Sequence, residues 1–83
     1  MKTDFRVRIS AIEEIGGRWF WTETEWDGTQ RRLHTNRNHE GLFELSKSGT
    51  TSKQVLGTTQ FSLAGKSKAA IRSYLNRQAN RDA

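Results

Sequence analysis

Apolar and polar residues alternate at the start of the chain. Phe5, Val7, Ile9 and Ala11 interleave with Arg6, Arg8 and Ser10, and period two predicts a half-buried strand. Gly16-Gly17 then suits a two-residue primed turn. Arg18 to Trp26 is rich in aromatics and Thr, which favours a second strand. Asp27-Gly28 predicts a hairpin, and Gln30 to Thr35 a third strand. Two-residue turns fix the register. Ile15 then faces Arg18, Ile9 faces Thr24 and Val7 faces Trp26 across the first turn. Thr24 faces Arg31 and Thr22 faces Leu33 across the second. In that register Val7, Ile9, Phe20, Trp26 and Leu33 share a core face. Trp19, Trp21, Arg32 and His34 share the opposite face with Arg6 and Arg8. Glu23–Arg32 and Arg8–Glu25 become opposed charges of the kind that stabilise a sheet.

Beyond the meander the pattern loosens. Residues 36–41 read as a loop, and Leu42 to Leu45 fits either a strand or one helical turn. The small polar stretch Ser46 to Lys53 predicts an exposed loop, and Gln54 to Phe61 a last strand. From Leu63 the period changes. Leu63, Ser67, Ala70, Ile71, Tyr74, Leu75 and Gln78 recur at spacings of three and four, one stripe of a helix. Its N-cap is Ser62 or Ser67, depending on where the helix begins. The stripe must bury itself against the sheet. The predicted fold is α+β, one domain over residues 1–83: a twisted antiparallel sheet, with a three-stranded N-terminal meander plus one or two further strands, and one C-terminal α-helix on one face.

Val55-Leu56-Gly57-Thr58, followed by a helix carrying Ala69, Ala70, Ile71 and Tyr74, resembles the end of three-strand-plus-helix DNA-binding domains of the plant AP2 and integrase arm-binding kinds. That resemblance implies major-groove reading by Arg and Trp on the sheet. It spans residues 55–74, and the segment between Leu33 and Gln54 is longer than the pattern has.

Charge adds a second axis. The 83 residues carry 14 Lys/Arg against nine Asp/Glu, a net charge of +5. Residues 1–40 hold seven of each sign, so the excess lies in residues 41–83, where seven cations meet only Glu44 and Asp82. Such asymmetry points to a polyanion. The expected partner is nucleic acid, DNA or RNA, or a nucleoprotein complex, with no membrane partner. Lys47, Lys53, Lys66, Lys68, Arg72 and Arg77 are the candidate phosphate contacts. Arg6, Arg8, Trp19, Trp21, Arg32 and His34 are the candidate contacts to bases or to a protein, since Trp and Arg suit both roles. A second reading is a protein-binding inhibitor of the kind phages direct against host CRISPR or restriction machinery. A third is a small metal-free ribonuclease, with His34 as base and Arg31, Arg32 and Arg37 on the phosphate.

Other chemistry finds little footing. There is no Cys, hence no disulfide framework, which fits a cytoplasmic protein. No apolar run reaches a membrane-spanning length, and Met1 to Arg6 lacks the apolar segment of a secretory signal. His34 and His39 with Glu40 make a poor metal set. Gly65-Lys66-Ser67 ends like a phosphate-binding loop, but the glycine that pattern needs five residues earlier is Gln60. What remains there is a place for one phosphate near a helix N-terminus. No catalytic residues, metal or cofactor are expected.

Overall fold

The computed structural model describes residues 7–80. Phe5 and Arg6 lie outside the described residues. The elements are β1 (Arg8–Ile9), β2 (Glu13–Ile15), β3 (Arg18–Thr24), β4 (Gln30–His34), β5 (Leu42–Leu45), β6 (Ser52–Leu56) and α1 (Lys68–Asn80). The strands form one antiparallel sheet in the order β1-β3-β4-β5-β6, and β2 continues alongside β3. The fold is α+β, with the single helix on one face of the sheet. Leu42 to Leu45 is a strand. The expected loop 46–53 is mostly the turn of the β5–β6 hairpin, closed by Ser46 N–H to Thr51 O (2.8 Å) and Gly49 N–H to Ser46 O (2.9 Å). The last strand starts and ends earlier than Gln54–Phe61, because residues 57–60 turn the chain away from the sheet.

Two local departures rearrange the predicted faces. Residues 26–28 make a three-residue loop rather than a two-residue turn. Glu25 N–H donates to Thr29 O (2.8 Å) and Gly28 N–H to Glu25 O (2.9 Å), with Gly28 at φ 90°. This is the three-residue hairpin with glycine in the left-handed position. The register therefore slips by one. Thr24 faces Gln30, Glu23 faces Arg31 and Trp21 faces Leu33. A slip of one exchanges the faces of a strand. Trp19 and Trp21, expected on the open face, point to the helix side and are buried, Trp21 completely at 0% exposure. Phe20, expected in the core, lies on the open face with His34.

The second departure is a bulge. The Gly16-Gly17 turn keeps its predicted register, with Ile15 opposite Arg18 and Glu13 opposite Phe20. Further on, Ser10 N–H reaches Thr22 O at 2.9 Å and Ile9 faces Glu23, not Thr24. Ala11 and Ile12 together thus oppose Trp21, two residues against one. The extra residue lets Ile9 and Ile12, three apart, both turn inward, at 5% and 6% exposure. Ala11, expected inward, is exposed.

The core joins Ile9, Ile12, Trp19, Trp21 and Leu33 of the sheet side to Phe61, Leu63, Ile71 and Leu75. Residues 61–63 cross under the helix as a strap. Gly41 N–H donates to Phe61 O and Leu63 N–H to His39 O, both at 2.7 Å. Ser67 is the N-cap: its Oγ accepts Ala70 N–H (3.2 Å) and its carbonyl accepts Ile71 N–H (2.9 Å). Ile71 and Leu75 face the sheet as the stripe predicts. At the far end Asn80 Oδ1 accepts Val7 N–H (2.7 Å), and its amide donates back to Val7 O (3.0 Å). The helix end is thereby tied to the β1 edge.

Candidate nucleic-acid interface

The carboxylates of the strands lie beside basic side chains. Arg31 lies 3.6 Å from Glu23 and 3.2 Å from Glu44, Arg32 lies 2.9 Å from Glu13, and His39 lies 3.3 Å from Glu14. Burial on the helix side raises the pKa of Glu23 above the usual carboxylate range, and Arg31 opposes that rise. Asp27 is lowered by the Thr29 N–H that it accepts within the loop (2.9 Å). Exposed pairs of this kind add little stability, but they fix where charge is cancelled. Among the described residues none of these ion pairs uses a cation of α1 or β1.

Three cations outside these ion pairs stand where α1 meets the β1 edge. Arg8, Arg72 and Arg77, with Asn76 and Asn80, line an open groove of about 580 Å³ that has no carboxylate among the described residues of its lining. Arg72 is held in place there, because its Nη1 donates to Ser10 O at 3.0 Å. Lys68 stands one helical turn before Arg72, on the same ridge.

The six predicted phosphate contacts do not form one patch. Lys68, Arg72 and Arg77 belong to the helix, and Lys66 lies just before it with Nζ 5.0 Å from the Tyr74 ring centre. Lys47 and Lys53 sit on the β5–β6 hairpin at the other edge of the sheet, four strand spacings or about 19 Å from β1. Lys53 also faces Glu44 across the hairpin. The Gly65-Lys66-Ser67 phosphate place is partly filled by the chain itself: Lys66 N–H donates to Leu63 O (3.2 Å) and Ser67 Oγ caps the helix.

The second predicted set separates as well. Arg8 joins the groove. Trp19 and Trp21 are core residues, which also removes the sheet-face Trp that the DNA-binding resemblance implies. Arg32 and His34 are on the open face as expected. There Phe20, His34 and Phe43 stand side by side on β3, β4 and β5. Phe20 and His34 stack at 4.8 Å, and His34 and Phe43 at 5.4 Å with only 9° between their planes. The Arg32 guanidinium covers Phe20 at 5.4 Å. His34 is 6% exposed. Its Nδ1–H donates to Thr35 O and its Nε2 shares a hydrogen bond with the Ser52 hydroxyl, both at 2.8 Å.

Phe20, Phe43 and Arg18 were not among the sequence candidates. The loop length after Glu25 is the signal that places Phe20 outward, and Phe43 follows from it through the β4–β5 pairing. No helix among the described residues is long and apolar enough to cross a membrane. Comparisons with protein-family models, curated proteins and solved structures give no match.

Proposed function

We propose that this protein binds nucleic acid, with the α1–β1 groove gripping the phosphate backbone. The observation that carries this reading is a groove lined by three arginines and, among the described residues, by no carboxylate. Backbone contacts of this kind position a protein without reading sequence. The large apolar side chains left exposed, Ile15, Trp26 and Val55, lie at two separate hairpin turns and on the edge strand. A contiguous apolar patch is the usual mark of protein docking, so the inhibitor reading has less to stand on.

The test is a salt titration of binding to random-sequence duplex DNA and RNA. Three arginine contacts predict a slope of log K against log salt of about −2.7, from about 0.9 per contact on duplex DNA. Arg8→Gln with Arg77→Gln should flatten it by about 1.8 and weaken all sequences alike. Arg72 is left intact because it also braces Ser10. No binding to either nucleic acid at about 50 mM salt, where non-specific contacts are strong, rejects the reading.

A further inference from the structure

On the face of the sheet away from the helix, a second cavity of about 390 Å³ opens beside the aromatic row. Phe20, His34, Phe43 and Leu45 form its apolar side, and Arg18 and Asn36 stand on its polar side with residues 49–52 of the β5–β6 hairpin. We infer that this cavity is a stacking site for one unpaired base of a single strand, with Arg18 taking the adjoining phosphate. The inference rests on the nucleic-acid reading above and names a second, separate contact for the same ligand.

The row is suited to a planar guest. Its spacings of 4.8 and 5.4 Å match the distance between neighbouring strands, so the sheet itself sets the pitch. Parallel rings touch at about 3.5 Å. With centres 5.4 Å apart and planes 9° apart, His34 and Phe43 are nearly parallel and offset by at most about 4 Å. Each leaves part of a ring uncovered. Arg32 covers the Phe20 end, and the β6 neighbour of Phe43 is Gln54, which has no ring. Phe43 therefore has no ring beside it on the β6 side among the described residues, and it lines the cavity with Phe20 and His34, where a base can pack against it.

The rim supplies the rest of a nucleotide's needs. Among the described residues no carboxylate lines the cavity, and the acid nearest the row in the register, Glu13, is paired with Arg32. The Ser52 hydroxyl is hydrogen-bonded to His34 Nε2, and its oxygen keeps a lone pair as an acceptor at the cavity rim. Asn36 Oδ1 accepts the amides of Asn38 (2.8 Å) and Glu40 (3.0 Å), which leaves its NH2 group as a donor. One donor and one acceptor beside an aromatic platform match the edge of a base. In a duplex that edge is already paired and the base face is covered by its neighbours, so the site selects single strands.

The experiment compares labelled oligo-dT of about twelve nucleotides, within the site size of such binders, with the same strand annealed to oligo-dA. Binding is read by fluorescence anisotropy. Phe43→Ala should weaken single-strand binding about tenfold, as loss of one stacking ring does, and leave duplex binding unchanged. Phe43→Leu keeps apolar bulk and should lose nearly as much, which separates stacking from folding. Thymidine monophosphate should shift the amide NMR signals of Asn36, Thr51 and Ser52 in the parent protein. Single-strand binding unaltered in both Phe43 variants, or no shift of those amides, overturns the inference. Loss of duplex binding in the Arg8/Arg77 variant with the Phe43 effect intact shows that groove and cavity act separately. Duplex binding with no Phe43 effect removes the stacking site and leaves the groove standing.

Discussion

Trp21 and Phe20 are neighbours on β3 with opposite fates, and truncating each in turn tests the register of the whole meander. Trp21 is fully buried, lies opposite Leu33 and stacks on Phe61 at 6.3 Å. Trp21→Ala should cost about 3–5 kcal/mol, the range for a buried aromatic. A folded chain of 83 residues holds about 4–12 kcal/mol in all, from about 0.05–0.15 per residue. The loss is therefore a large share of the total, and the melting temperature should fall by at least about 12 °C, at about 4 °C or more per kcal/mol for a domain of this size. Phe20 is half-buried on the open face, so Phe20→Ala should cost about half as much or less, scaling the same range by buried area. Trp21→Phe adds a second handle. The Trp21 Nε1–H is buried with no acceptor among the described residues, and a stranded donor costs about 1–3 kcal/mol. Removing it offsets much of the lost ring volume, so this variant should stay within about 1 kcal/mol of the parent, as conservative core exchanges do. Urea denaturation at constant pH, followed by far-UV circular dichroism, gives all three values. A loss from Phe20→Ala that equals or exceeds that from Trp21→Ala would refute the one-residue slip and restore the two-residue turn at Asp27-Gly28.

Leu75→Ala removes a helix side chain that is 3% exposed and should cost about 2–4 kcal/mol; a change under about 0.5 kcal/mol, as at a surface site, would mean the helix is not seated there. Glu23 gives a pH dependence. Its folded pKa is raised by burial, so the folded state holds its proton more tightly than the unfolded state, and its contribution is fully present below the ordinary Glu range and lost as pH rises through the folded value. Glu23→Gln should therefore gain stability relative to the parent between pH 4 and pH 7, while Arg31 keeps Glu44 as a partner; a parent–variant difference that is flat across that window contradicts the assignment.

How far the sequence reaches depends on whether a residue's position follows from a count or from a pattern. The Ile71, Tyr74 and Leu75 stripe needs only the helical period, and it seats where expected. The Gly16-Gly17 turn needs only two left-handed positions, which glycine supplies at φ 60° and 82°. Asp27-Gly28 is ambiguous in a way that pattern cannot resolve. Glycine suits the second place of a two-residue turn and equally the left-handed place that closes a three-residue loop. One residue of difference carries Trp19, Trp21 and Phe20 to opposite faces. The bulge at Ala11-Ile12 is similar, since period two has no way to announce an extra residue. Charge was legible as a total but not as a map. The acid-free stretch after Leu45 is real, yet the sheet order parts Lys47 and Lys53 from the helix. Arg8, from the neutral half of the chain, joins Arg72 and Arg77 in their place.

The hydrogen bonds between Val7 and Asn80 join residues 73 apart, and the core has the same reach, since Ile71 and Leu75 rest among Ile9, Trp21 and Leu33. Closing so long a loop costs entropy before any contact returns it, whereas the strand pairings join neighbours in sequence. It also sets an order for synthesis. While residues near Leu33 are leaving the ribosome, the meander has made its hairpins but has nothing to lay over Trp21. The strap and the helix follow the meander in sequence, so the interior closes only after residues 61–80 have emerged. A version cut after Leu56 should accordingly behave as an unprotected sheet, bound by chaperones and open to proteases, and not as a smaller stable fold.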